Sequence, residues 1–135
     1  MTYPITDIEG VDGEAAANLK SVGIRTTERL LETARSVKGR KALAAKTGLD
    51  ERCLLDWANV ADRMRVKGVN REYSQLLQAA GVDTVRELKY RNPGNLAKAM
   101  AEANKKRKLV RFLPSEKVVT RWVENAKKLP IKISY

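Results

Sequence analysis

The chain contains no histidine and a single cysteine among its 135 residues. The missing histidine excludes histidine general acid–base catalysis, Ser-His-Asp arrangements and histidine-ligated metal sites. The single cysteine, Cys53, excludes an internal disulfide and agrees with a reducing compartment. We interpret Cys53 as a small thiol buried on a helix rather than as a nucleophile. The sequence therefore predicts a protein that is not an enzyme and needs no metal or other cofactor.

Long apolar runs are also absent. The longest apolar stretches fall far short of the about 20 residues that a membrane span requires, and the opening MTYPITDIEG has neither the basic head nor the apolar core of a signal peptide. The segment SVKGRKALA lacks the first glycine and the hydroxyl of a phosphate-binding GxxxxGK[ST] loop. These absences predict a soluble, cytoplasmic protein with no membrane span.

Positive charge is what the chain has in excess. Its formal net charge is +11, and residues 104–135 contain ten basic and two acidic side chains, whereas residues 1–35 contain four and six. Clustered positive charge attracts nucleic-acid phosphates, acidic proteins or anionic lipid heads. The hydrophobic share of 43% and the charged share of 32% are typical of a globular protein. The length predicts one domain over residues 1–135 with one core.

An internal repeat organises the sequence. The stretch DIEGVDGEAAANLKSVGIRT recurs as RVKGVNREYSQLLQAAGVDT at an offset of 58 positions, which matches Gly10 with Gly68. Further along, the offset grows to 65, which matches Trp57 with Trp122. We place the extra residues in NKKRKLVRFLPS, the most basic part of the chain. We expect both tryptophans to be core residues rather than base-stacking residues.

Apolar spacing predicts about four short helices in each repeat, with Thr26 and Asp50 as N-caps and Gly48 as a helix stop. The predicted fold is all-α, with repeats at about 5–64 and 65–128 and a tail at 129–135, where only IKISY alternates like a strand. One repeat is too small to bury a stable core. We therefore expect the two to share a core around a pseudo-twofold axis, with the segment before Gly10 beside the Trp122 helix.

The start of each repeat resembles the helix-hairpin-helix motif, because a glycine and an apolar residue precede spaced apolar positions such as Ala16 and Leu19. In that family the hairpin has a second glycine and exposes backbone N–H groups that bind phosphates without reading sequence. Here Asp12 replaces that glycine in the first hairpin, residues 10–12, and Asn70 replaces it in the second, residues 68–70. Both residue types tolerate the positive φ that the turn would need.

The charges around the two hairpins differ. Glu9 and Glu14 join Asp12 around the first hairpin and would repel a phosphate. Around the second, cations and the N–H groups of Val69, Asn70 and Arg71 would attract one, unless the hairpins serve only as packed connectors. The candidate nucleic-acid-binding residues are those of the second hairpin and the basic insertion: Lys67, Gly68, Val69, Asn70, Arg71, Lys105, Lys106, Arg107, Lys108 and Arg111.

The run ADRMRVKGVNREYSQLLQAAGVDTVRELKYRNPGNLAKAM, followed by Asn104, Leu109, Pro114 and Trp122, resembles the bacterial family known as domain of unknown function 4332. The resemblance covers essentially the whole chain and rests on the Gly-Val, AGV-T and RNP spacings. It implies a tandem helix-hairpin-helix-like α fold and no established biochemical activity.

Three functions are compatible with these features. The first is a non-enzymatic module that binds nucleic-acid backbone, DNA or RNA, through the second hairpin and the basic insertion. The second is a protein-interaction or assembly module with an acidic partner or a homodimer face. The third is binding to an anionic membrane surface, which the missing large apolar helix face argues against.

Overall fold

The computed structural model describes residues 2–135. The regular elements of these residues are helices, which confirms the predicted all-α class. A short 3-10 helix, Ile5–Asp7, precedes the α-helices α1 Gly13–Ser21, α2 Thr27–Ala34, α3 Val37–Thr47, α4 Glu51–Arg63, α5 Arg71–Ala79, α6 Val85–Leu88, α7 Pro93–Arg107 and α8 Glu116–Lys128. Within residues 2–135, none of these helices has the length and apolar character needed to cross a membrane.

Short polar side chains determine where the helices begin. Asp12 accepts a hydrogen bond from the N–H of Ala15 at 2.8 Å, which satisfies a backbone donor that the helix itself leaves unpaired. The predicted N-caps Thr26 and Asp50 are confirmed by the same type of bond. Gly48 ends α3 in the left-handed conformation, with a φ of 74°. Local sequence signals therefore account for these helix ends.

The helices of the second repeat follow those of the first in order and partly in length. Helices α1 and α5 both have 9 residues, and α4 and α8 both have 13. The matched residues Gly10 and Gly68 have φ values of 94° and 90°. Trp57 and Trp122 are both buried in hydrophobic clusters, as predicted. The pseudo-twofold relation and the helix-hairpin-helix class stay predictions.

The extra residues of the second repeat lie in the segment that the sequence indicates. Helix α7 has 15 residues, whereas its counterpart α3 has 11. The connection from α7 to α8 covers residues 108–115, whereas that from α3 to α4 covers only residues 48–50. The basic insertion is thus a longer helix end followed by a longer loop.

The hydrophobic residues form two clusters, so the predicted single shared core is wrong. The first cluster contains Leu30 and Trp57, and the second contains Leu77 and Trp122. Each tryptophan is surrounded by aliphatic side chains of its own cluster, so it does not need to pack against the core of the other repeat. The first cluster is completed by Ile133, which comes from the tail.

Hydrogen bonds fasten the last turn of α4 to the second repeat. Arg63 is 1% exposed; its Nε donates to Ser74 Oγ at 2.9 Å and its Nη1 to the Asp83 carbonyl at 2.8 Å. The neighbouring Asp62 accepts a hydrogen bond from the N–H of Val85 at 2.8 Å. The junction between the repeats is therefore polar as well as buried.

Burial lowers the pKa of Arg63 to about 10, although the nearby carboxylates of Asp83 and Asp62 raise it. The guanidinium is still charged at neutral pH. Its Nη2 has no hydrogen-bond partner within residues 2–135, and neither has Oδ1 of Asn59 one turn earlier. A buried charge with an unpaired donor makes this junction sensitive to substitution.

The tail, residues 129–135, closes the molecule onto the first repeat. The N–H of Ser134 donates to the Arg35 carbonyl at 2.8 Å, and Nη2 of Arg40 donates to the Ser134 carbonyl at 2.6 Å. Ile133 is 4% exposed, whereas Ile131 is 41% exposed. The alternation in IKISY thus places one side chain in the core, but the segment forms no strand.

The segment before Gly10 differs from its predicted place beside α8. The N–H of Ile5 donates to the Arg25 carbonyl at 3.1 Å, and the N–H of Thr27 donates to the Tyr3 carbonyl at 2.8 Å. Ile5 itself belongs to the first cluster. The apolar side chain therefore holds the N-terminal segment within the first repeat, and the tail makes the long-range closure.

Candidate nucleic-acid interface

The two hairpins share one hydrogen-bond pattern. The N–H of Val11 donates to the Ile8 carbonyl at 3.2 Å, and the N–H of Val69 donates to the Val66 carbonyl at 3.0 Å. Val69 is fully buried. Its N–H is therefore engaged within the turn, and the prediction that it binds an anion is wrong.

The third hairpin position does not adopt positive φ, contrary to prediction. Asp12 has a φ of −79° and Asn70 a φ of −89°. Both residues are N-caps, and the Asn70 side chain accepts a hydrogen bond from the N–H of Tyr73 at 2.9 Å. Aspartate and asparagine are present here because they cap a helix. Among residues 2–135, the N–H groups of Asn70 and Arg71 find no acceptor.

A surface groove lies beside the second hairpin. Its volume is about 430 Å³, and it lies between the hairpin and α8. Lys67 and Arg121 are its cations, and both side chains belong to exposed residues. The complete lining of this second-repeat groove is Lys67, Gly68, Val118, Arg121, Trp122 and Asn125.

A groove in the matching place of the first repeat contains two carboxylates and two arginines. It measures about 230 Å³ and is lined by Glu9, Asp56, Trp57, Val60, Arg63, Arg71, Gln75 and Gln78. At the repeat offset of 58 positions Glu9 matches Lys67, and at the offset of 65 positions Asp56 matches Arg121. At these two matched positions, the first repeat thus has carboxylates and the second has cations.

Arg71 lines the first-repeat groove, beside Glu9 and Asp56, and not the groove of Lys67. The prediction that Lys67 and Arg71 flank one anion site is therefore not supported by the cavity linings. Arg71 opens α5, which packs against α4, and this packing places its side chain at the junction of the repeats. The second cation that lines the groove of Lys67 is Arg121 instead.

The five basic residues of the insertion are all exposed: Lys105, Lys106, Arg107, Lys108 and Arg111. Three of them occupy the last turn of α7, where the partial negative charge of the helix end favours cations. Lys105 contacts Glu102 at 3.2 Å, with 73% and 68% of the two side chains exposed. Such an exposed pair contributes little to stability. Because all five basic side chains belong to exposed residues, the cluster is accessible to a ligand.

Hydrogen bonds hold the loop after α7 in place. The side-chain amide of Asn104 donates to the Val110 carbonyl and accepts from the Val110 N–H, both at 3.0 Å. The hydroxyl of Tyr73 donates to the Phe112 carbonyl at 3.2 Å. The Tyr73 ring also packs on Trp122, with ring centroids 5.3 Å apart. One tyrosine therefore links the basic loop to a wall of the second-repeat groove.

Two residues of this surface are missed by sequence reasoning. Arg121 lies far from the second hairpin along the chain, and only its match with Asp56 signals that it faces the same groove. Phe112 is 72% exposed within the basic loop, and its position inside KLVRFLPS is typical of a core residue. The local sequence pattern predicts neither that Arg121 lines this groove nor that Phe112 is exposed.

Cys53 is exposed, so the prediction of a buried thiol is wrong. It lies in the first turn of α4, and the apolar face of that helix begins only at Leu54. No group of His, Cys, Asp and Glu side chains suited to holding a metal ion occurs in the part of the chain that the structure describes.

Neither a curated protein nor a solved structure matches this chain. A family model does: the one described as Domain of unknown function (DUF4332) matches residues 9–129. The matched region contains both hairpins, both tryptophans and the basic insertion. The chain therefore belongs to the DUF4332 family, as the RNP and AGV-T spacings indicate.

Proposed function

We propose that this protein is a non-enzymatic module that binds the phosphate backbone of nucleic acids through the second-repeat groove and the basic insertion. The observation that carries the proposal is the pair of cations in the second-repeat groove, at two positions where the first repeat has carboxylates. Lys67 and Arg121 stand where the first repeat has Glu9 and Asp56. In the first-repeat groove the carboxylates share the lining with Arg63 and Arg71. The lining of the second-repeat groove, within residues 2–135, holds two cations and no acidic residue, which favours an anionic ligand there.

Phosphate is the ligand that this pair of cations suits. A guanidinium binds phosphate oxygens through two parallel hydrogen bonds, and an ammonium adds a compact point charge. Gly68, which has no side chain, also lines the groove. Such contacts hold a backbone without reading bases, which predicts binding that is independent of sequence.

The loop of the basic insertion is attached to the second-repeat groove through Tyr73. Trp122 lines the groove, and the Tyr73 ring packs on the Trp122 ring. The Tyr73 hydroxyl donates a hydrogen bond to the Phe112 carbonyl in the loop. Lys108 and Arg111 therefore lie on the loop that this tyrosine attaches to the groove, and Lys105, Lys106 and Arg107 lie in the last turn of α7 just before that loop. An extended polyanion can contact both, whereas a single phosphate ion needs only the groove.

The double substitution Lys67→Ala with Arg121→Ala tests the proposal. We expect weaker binding to mixed-sequence duplex and single-stranded DNA alike. Removing two phosphate contacts should reduce the slope of log K against log salt by about two units. Fluorescence anisotropy titrations at several salt concentrations measure both quantities.

The matched control is Lys38→Ala with Lys41→Ala on α3, because both residues are exposed and the net charge changes equally. We expect this control to reduce binding far less and to leave the slope nearly unchanged. Equal losses in the two double variants would mean that only total charge matters, and the groove would then not be the site.

A further inference from the structure

The loop after α7 presents an aromatic ring to solvent among cations. Phe112 is 72% exposed and the adjacent Leu113 is 47% exposed. A single exposed apolar side chain is ordinary, so exposure alone carries no function. The loop is notable because hydrogen bonds hold its backbone just before this ring and at the ring's own residue.

The first attachment precedes the ring. Asn104 pairs with both backbone groups of Val110 at 3.0 Å, as a neighbouring strand would. The second attachment is at the ring's own residue, where the Tyr73 hydroxyl donates to the Phe112 carbonyl. Because all three hydrogen bonds use backbone groups of the loop, none requires the phenyl ring. The phenyl ring is therefore exposed to solvent and takes no part in the hydrogen bonds that hold the loop.

A cation accompanies the ring. The guanidinium carbon of Arg111 lies 5.7 Å from the centre of the Phe112 ring, within the range of a cation–π contact. The end of α7 adds further exposed cations at Lys105, Lys106 and Arg107. An aromatic platform beside cations that follow a backbone is the arrangement by which proteins bind unpaired nucleotides.

We propose that Phe112 stacks on an unpaired base, so that the protein prefers single-stranded over duplex nucleic acid. This inference rests on the proposed function, since the phosphates must first be held by the cations. Bases within a duplex already stack on each other and offer no free face to a ring at the protein surface. A single strand offers each base to the ring, whatever its identity.

The test compares a single strand of about 20 thymidines, the same strand without its bases, and a mixed-sequence duplex. The unmodified protein should bind the thymidine strand most tightly. Phe112→Ala should weaken that binding about tenfold, with no change in duplex affinity or in salt slope. Phe112→Trp should restore it. The strand without bases should bind the unmodified protein and Phe112→Ala equally well.

Tyr90→Ala is the matched control, because Tyr90 is an aromatic residue that is 82% exposed outside this loop. It should leave all three affinities unchanged. If the protein binds strand and duplex but Phe112→Ala changes neither, the stacking role is wrong while backbone binding holds. If the protein binds no nucleic acid at all, the proposed function fails too.

Binding to vesicles that contain phosphatidylserine tests whether the Phe112 ring contacts a membrane instead of a base. We expect Phe112→Ala and Phe112→Trp to bind these vesicles as the unmodified protein does. A loss of vesicle binding in Phe112→Ala, with single-strand binding unchanged, would overturn the inference in favour of a lipid surface.

Discussion

The indole Nε1 of Trp122 lies 3.2 Å from the point where a Cβ atom on Gly68 would stand, and Trp57 has the same relation to Gly10. In each repeat the tryptophan helix therefore packs against the backbone of the hairpin glycine. This contact shapes both grooves, because the tryptophan is one wall and the hairpin is the other.

Gly68→Ala should destabilise the protein. The substitution places a Cβ against the Trp122 indole and requires alanine to keep a φ of 90°. We expect the free energy of unfolding to fall by about 1–3 kcal/mol, measured by urea denaturation. Gly13→Ala is the control, because a Cβ there meets nothing within 4 Å. A Gly68→Ala protein as stable as the control would disprove the contact.

Arg63→Leu should weaken the junction between the repeats. It removes the bonds to Ser74 and to the Asp83 carbonyl and leaves the buried Ser74 hydroxyl without this donor. We expect a loss of about 2–4 kcal/mol in unfolding free energy. Arg52→Ala, at an exposed position of the same helix, should change stability by less than about 0.5 kcal/mol. Similar losses at both positions would argue against a junction held by Arg63.

Ile133→Ala should reveal the contribution of the tail. The side chain is 4% exposed and completes the first cluster, so its truncation should reduce the unfolding free energy by about 2–4 kcal/mol. Ile131→Ala removes the same atoms from a residue that is 41% exposed and should have a much smaller effect. The tail would not be docked as described if the two variants had equal stability.

Lys132 of the tail forms an ion pair with Glu32 of α2, and this pair predicts a pH dependence. The hydrogen bond from Lys132 lowers the pKa of Glu32 below its ordinary value of 4.5 in the folded protein. Its contribution to stability is therefore present above pH 4.5 and is lost as the pH falls through the lowered pKa. Glu32→Gln should be less stable than the unmodified protein at about pH 6, and the difference should shrink at about pH 3. A constant difference across this range would exclude the pair as its source.

The repeat and many helix ends are predictable from the sequence because their causes are local. Thr26 and Asp50 cap helices through residues two or three positions away, so short-range pattern is enough. The two cores are not predictable in this way. Whether Trp57 and Trp122 share one cluster or have one each depends on how the repeats dock, and no local signal specifies that.

The candidate site was predictable in its charge but not in its geometry. Lys67 and the basic insertion follow from counting charges along the chain. Arg71 follows Lys67 closely in sequence, yet it lines the other groove, because a helix start directs neighbouring residues to different sides. Arg121 joins Lys67 only through the packing of α8, which proximity along the chain does not indicate.

The most direct test of the central claim is a titration of the unmodified protein with mixed-sequence DNA and RNA at increasing salt. We predict binding tighter than the ~10⁻⁴ M limit of ordinary non-specific binders, with log K falling linearly as log salt rises. If neither nucleic acid binds within that limit in a salt-dependent way, nucleic-acid binding is contradicted. The cations of the second-repeat groove would then have to be explained by an acidic protein partner.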